Sequence, residues 1–223
     1  MDKTAKKLKK LRIKYLRGGA FKGRTNPKTF QGLGEKGLKI LHKIGKKYGM
    51  KTVTEVLDPR DIPLISKYTD ILQIGARNMQ SIPILKGIGR TKKPVILKRG
   101  ISATIEELLL SAEYIKKEGN KNIILCERGI RTFESHVRFT LPLATVPYLK
   151  KRTNLKIIVD PSHGTGDADL VIPMSKAAIA CGADGLMIEV HPNPKKALSD
   201  GPQALTTEQF EKLIKELKQW TQK

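Results

Sequence analysis

The sequence predicts an α/β fold of seven parallel strands alternating with helices, one strand short of the eight that close a TIM (β/α)8 barrel. Three observations carry this expectation. Strand-like and helix-like segments alternate along the whole 223-residue chain. The strand-like runs are apolar throughout rather than half-polar, as expected of parallel strands covered by helices. Charged residues stand at the end of one run after another, whereas a doubly wound open sheet would gather its ligand groups at a single switch point.

Taken in order, Asp2 to Lys10 carries helix-forming Lys, Ala and Leu, so the chain starts inside a helix. Arg12 to Phe21 is a short strand pattern that breaks at paired glycines, and a Gly-rich loop from Lys22 to Gly34 follows. Leu38, Leu41, Ile44 and Tyr48 recur at helical spacing over Glu35 to Tyr48. Lys51 to Leu57 is β-branched and alternating, hence a strand, and Asp58-Pro59 starts a short helical connection. Ile71 to Ala76 is the next strand. A helix carrying Ile82, Ile84, Leu85 and Ile88 comes after it, then a strand at Pro94 to Leu97 that reaches Lys98-Arg99-Gly100. Thr104 to Lys117 is a helix whose N-cap is Thr104, with Glu107 as its capping-box partner. Asn122 to Cys126, Lys156 to Val159 and Gly185 to Val190 are the remaining strands. Helices at Leu170 to Cys181 and Thr207 to Trp220 flank the last one. The strands therefore centre near residues 15, 54, 73, 96, 124, 158 and 188. No repeat or linker marks a second domain, so 1–223 reads as a single barrel domain.

Composition narrows the partners. Lys+Arg 43 against Asp+Glu 21 gives a formal charge of +22, which favours anionic ligands. Aromatics make up only 5% of the chain. Nucleic-acid binding would interleave cations with aromatics on one surface, so cations at strand ends favour small phosphorylated ligands instead. Cys126 and Cys181 have no paired spacing, which suggests neither a disulfide framework nor a zinc knuckle. There is no leader pattern and no run of membrane-spanning length, so a cytoplasmic protein without membrane partners is expected. A homo-oligomer is compatible with the sequence.

The strand ends present Arg17 and Lys22, Glu55, Arg77, Lys98 and Arg99, Arg128, His163, and Glu189 with His191. At the C-terminal ends of parallel strands such groups converge on one mouth of a barrel. Converging cations repel one another unless an anion binds among them. Arg suits bidentate recognition of phosphate or carboxylate, and Lys adds a compact charge. Glycines in "GGAFKGRT" and "SHGTG" let backbone amides approach a phosphate. His163, Glu189 and Asp200 combine an imidazole with two carboxylates, which suits Mn, Fe, Co or Zn in a site left open enough to polarise a carbonyl.

"LRGGAFKGRT", "QGLG", "QIGARNMQ", "VILKRG", "CERGIRTFE", "DPSHGTG" and "MIEVHPNPKKALSDGPQ" together resemble the 3-deoxy-D-arabino-heptulosonate-7-phosphate (DAHP) synthase family, in its compact form without large regulatory insertions. The likeness runs from about Asp2 to Leu205. It implies a metal-dependent (β/α)8 barrel that condenses phosphoenolpyruvate with erythrose 4-phosphate, the first step of the shikimate pathway toward aromatic amino acids. By motif, the resemblance implies that Arg17 and Lys22 hold the phosphoenolpyruvate carboxylate. Arg77, Lys98, Arg128 and the Ala76 amide would hold its phosphate. Arg24 and Thr25 would bind the phosphate of erythrose 4-phosphate, and Glu55 would orient the attacking water. His163, Glu189 and Asp200 match three of the family's four metal ligands, so Lys22, Glu55 and His163 are the catalytic candidates.

Two departures stand out. The family reads Lys-Pro-Arg-Thr where this chain has Lys22-Gly23-Arg24-Thr25, and glycine loosens that loop. The family's fourth ligand is a Cys on the first strand, and this chain begins after it. The resemblance therefore implies a longer gene product, and weak metal binding with low activity for a chain that starts at Met1. Cys126 reads as a small core residue rather than a replacement ligand. Three rival readings accompany this one: 3-deoxy-D-manno-octulosonate-8-phosphate synthase, whose aldose loop has one more residue, a phosphate-binding barrel with lost or weak catalysis, and, on charge alone, a basic nucleic-acid-binding module.

Overall fold

Residues 1–221 are described by the computed structural model. In chain order the elements are α1 (Asp2–Lys10), β1 (Tyr15–Arg17), α2 (Gly34–Tyr48), β2 (Lys51–Val56), α3 (Ile62–Tyr68), β3 (Ile71–Ile74), α4 (Ile82–Gly89) and β4 (Val95–Lys98). They continue with α5 (Ile105–Lys117), β5 (Ile123–Glu127), α6 (Thr145–Arg152), β6 (Lys156–Val159), α7 (Pro161–Thr165), α8 (Ala168–Ala180), β7 (Gly185–Leu186) and α9 (Thr207–Thr221). Strand order follows sequence order, and the strand pairings are parallel. This is the β/α succession of the TIM-barrel class. The chain divides into two compact units, Lys14–Cys126 with Met1, and Asp2–Ile13 with Glu127–Lys223.

In the first unit, β3 and β4 are buried at every position, as a parallel strand covered on both faces must be. Leu72, Ile74, Val95 and Leu97 are fully buried, and each such side chain contributes about 1.5–3 kcal/mol by leaving water. Register sets the polar layer: Glu55 of β2 lies beside Gln73 of β3, and Lys98 of β4 beside Cys126 of β5. Thr104 and Glu107 form the expected capping box at the start of α5. Asp58 caps the turn at Pro59–Asp61, also as expected. Helix α2 stops at Gly49, whose φ of 60° supplies the left-handed cap.

In the second unit, α1 lies along α9, with Lys7 donating to Thr207 at 2.9 Å and Ala5 and Leu8 buried. The structure departs from the sequence reading in three places here. The strand expected over 185–190 forms ladder only at Gly185 and Leu186. Its partner β6 ends at Val159, where Asp160 turns the chain into α7. The Glu189 amide therefore donates to the Ser162 hydroxyl, and Val190 bridges to Leu205. Helix α7 has no counterpart among the expected elements, because its five residues are too few to show a period. Helix α6 was also missed, because Pro142 and Pro147 interrupt the apolar spacing. In the first unit the strand expected over 12–21 shortens to β1, since Arg12 takes a φ of 61° and the glycines end the ladder.

Candidate active site and metal centre

Within the second unit, three elements bring His163, Glu189 and Asp200 together. Their ligand atoms lie within 4.8 Å of one another, and His163 Nε2 stands 3.4 Å from Glu189 Oε1. Local sequence explains each placement. Asp160, fully buried, caps α7 by accepting the His163 amide at 3.0 Å, and its second oxygen lies 2.8 Å from His163 Nδ1. The Asp160 carboxylate thus stands beside Nδ1 while Nε2 faces Glu189, a carboxylate–imidazole arrangement common around metal-binding histidines. Glu189 is held through its backbone by the buried hydroxyl of Ser162 at 3.0 Å. Asp200 sits in a left-handed turn, φ 57°, just before the single helical turn Gly201–Gln203.

The triad fits a divalent ion. One nitrogen and two carboxylate oxygens, each about 2.0–2.2 Å from a common centre, would lie roughly 3–3.5 Å apart, so the observed spacing needs only small side-chain adjustment. Bound there, such an ion would polarise a carbonyl oxygen. Cys126 is fully buried, the core position expected of it.

Arg128 opens the segment that follows β5. It is 5% exposed, and its guanidinium lies 4.0 Å from the centre of the Phe139 ring. The buried Glu127 carboxylate accepts the amides of Arg128 and Gly129 at 2.9 and 2.8 Å, which fixes the direction in which Arg128 leaves the strand.

The first unit holds the other sequence-predicted residues. Arg17 donates to Gln73 Oε1 at 2.7 Å, Gln73 donates to Glu55 Oε2 at 3.1 Å, and Arg17 Nη2 stands 3.9 Å from the same carboxylate. Gln73 is fully buried, so this Arg-Gln-Glu chain holds Arg17 and Glu55 in fixed relation. Gly75 makes room for it, because a Cβ there would overlap the Glu55 carboxylate. Arg77 reaches Thr25 Oγ1 at 3.1 Å, joining two residues that the sequence assigned to different ligands. It extends from the helical turn Ala76–Asn78, beside the Ala76 amide. Lys98 and Arg99 are buried to 4% and 7% exposure, and Arg99 spends its Nε on the Ala103 carbonyl, a structural role. Lys22 is half-buried in a loop closed by the Phe21 to Gly32 bridge. Arg24 packs within the same loop, 3.4 Å from Thr29 Oγ1.

Sequence reasoning missed Gln73, Asp160 and Ser162. Asp160 left a legible signal, an Asp three residues before His163 at a strand end. Gln73 left none beyond a polar residue inside an apolar strand.

Residues 1–223 match the model of the family described as DAHP synthetase I family. A phospho-2-dehydro-3-deoxyheptonate aldolase of Thermotoga maritima is 57% identical over 215 residues, which cover 96% of this chain and 64% of that protein. A 2-dehydro-3-deoxyphosphooctonate aldolase of Acidithiobacillus ferrooxidans is 30% identical over 205 residues, covering 86% of this chain and 72% of that one. Among solved structures, the crystal structure of the Thermotoga maritima DAHP synthase superposes with a TM-score of 0.96 at 56% identity, over 98% of this chain and 64% of that chain. A truncated form of the Thermotoga maritima synthase gives 0.92 at 53% identity, over 98% and 80%. The chain thus spans 64% of the length of the 57%-identical relative.

Proposed function

The chain belongs to the DAHP synthetase I family, and from that premise we propose that it condenses phosphoenolpyruvate with erythrose 4-phosphate and water, giving 3-deoxy-D-arabino-heptulosonate 7-phosphate and phosphate. This would be the entry step of aromatic amino acid synthesis, carried out in the cytoplasm. The observation that carries the reading is the His163, Glu189 and Asp200 cluster, whose donor set suits Mn, Fe, Co or Zn.

Each residue has a chemical task in this reading. Arg17 and Lys22 hold the carboxylate of phosphoenolpyruvate; the Gln73 and Glu55 contacts to Arg17 pre-orient that guanidinium. The Ala76 amide with Arg77 and Lys98 takes its phosphate, and Arg128 is the further phosphate ligand that the family motif implies. The burial of Lys98 and Arg128, at 4% and 5% exposure, strengthens their contacts by excluding water, whereas Arg77 is exposed. Arg24 and Thr25 take the phosphate of the aldose. When bound, the metal would polarise the aldehyde and so favour attack by C3 of phosphoenolpyruvate, with the new C–C bond leaving C2 electron-poor. Glu55 orients the water that adds at C2. The resulting hemiketal phosphate expels inorganic phosphate as the C2 carbonyl forms.

The test is phosphate release from phosphoenolpyruvate in the presence of Mn and either erythrose 4-phosphate or arabinose 5-phosphate. Turnover with the four-carbon aldose is expected. Preference for arabinose 5-phosphate would overturn the assignment, and tight binding of phosphoenolpyruvate without turnover would identify a non-catalytic barrel.

A further inference from the structure

Arg138 has no part in the roles above, yet it touches both sides of the metal centre. Its backbone amide donates to the Thr165 carbonyl at 2.9 Å, and the next amide, from Phe139, donates to the Gly164 carbonyl at 2.9 Å. These bonds tie it to α7, the helix that carries His163. Its side chain runs the other way. Nη1 donates to Gln203 Oε1 at 2.8 Å and stands 3.9 Å from Asp200 Oδ1. The stem is seated against Gly166, where an added Cβ would come within 2.5 Å of Arg138 Cβ. One residue thus fastens the His163 helix to the turn that presents Asp200.

From this we infer that Arg138 is a positioning residue that holds Asp200 in its ligating posture. Asp200 needs such support. Its left-handed backbone, φ 57°, is less favourable for a residue with a Cβ than for glycine. Its carboxylate also shares a small space with that of Glu189, so the two repel whenever no cation lies between them.

A guanidinium so close could instead act as a competing cation that weakens ion binding, and the distances decide between the two effects. The directional bond goes to Gln203 at 2.8 Å, whereas 3.9 Å to Asp200 is beyond hydrogen-bonding range. Arg138 therefore offsets the charge of Asp200 at ion-pair distance, with its Nη1 committed to Gln203 rather than to Asp200 Oδ1. Gln203, 2% exposed, keeps it there.

The inference rests on reading the triad as a metal centre, and the experiment separates the two. Co(II) affinity and the Co(II) visible spectrum are measured on the 1–223 chain for wild type, R138M, R138K, D200N and R138M/D200N, with metal-free thermal unfolding as the check on folding. A wild type that binds no Co(II) removes the metal reading itself. With binding established, R138M is expected to weaken affinity about tenfold and to shift the spectrum toward that of D200N. R138K, which keeps the charge but not the fork, recovers part of the loss. R138M/D200N is no weaker than D200N alone, because the two residues act through one carboxylate. Unchanged or tighter Co(II) binding in R138M, or additive losses in the double variant, would overturn the assignment.

Discussion

Replacing Asp160 by Asn should uncouple metal affinity from folding, because the two oxygens of this buried carboxylate do different work. One caps α7 by accepting the His163 amide, and the other meets His163 Nδ1 at 2.8 Å. Asn caps a helix about as well as Asp, so the first function survives. The second does not, since an amide cannot stabilise the Nδ1-protonated ring as a carboxylate does. Losing a partner of this kind lowers metal affinity about 10–100-fold. At a metal concentration of about 100 times the wild-type Kd, binding stabilises the fold by about 2.7 kcal/mol, and a 30-fold weaker variant keeps only about 0.9. A domain of this size moves by roughly 2–4 °C per kcal/mol, so D160N should forfeit about 4–7 °C of the metal-dependent rise in Tm. Scanning calorimetry with and without Mn reads that difference directly, and the metal-free Tm absorbs any general destabilisation. A metal-dependent rise in D160N equal to that of wild type would refute the argument that Asp160 orients His163.

Three further outcomes follow from the geometry. G75A places a methyl group where the Glu55 carboxylate lies; about 1–3 kcal/mol of stability should go, read as a lower urea midpoint, together with a fall in kcat. T104A removes the hydroxyl that accepts the Glu107 amide and donates to the Glu107 carboxylate at the start of α5, which should lower stability by about 1 kcal/mol in urea while leaving phosphoenolpyruvate affinity unchanged. Asp184 is one acid-sensitive position. Burial alone would raise its carboxyl, but the Ile157 amide with Lys150 and Lys156 holds it below the usual 3.8. A depressed folded-state value means its stabilisation is present at neutral pH and disappears as the pH falls below that range. D184N should therefore be less stable than wild type at pH 7 in urea, with the two curves converging in acid.

Much of the fold was legible because burial leaves a period. The all-buried runs of β3 and β4, the capping box at Thr104 and the capped turn at Asp58 are local patterns, and the structure reproduces them. What failed was also local in cause. Prolines obscured α6, α7 is too short to repeat, and β7 lost its ladder because its neighbour turns into a helix one residue past Val159.

The candidate site divides along the same line. Sequence alone determined which residue types stand at the strand ends, since parallel strands in series must deliver their C-terminal residues to one side. That suffices to nominate His163, Glu189 and Asp200. It does not show that Asp160 turns the imidazole, that Ser162 holds Glu189, that Gln73 joins Arg17 to Glu55, or that Arg138 backs Asp200. Those contacts join positions as far apart as 62 residues in chain order, as Arg138 and Asp200 are. They depend on strand register and on which way a side chain leaves a turn, and both are settled only when the packed elements close on one another.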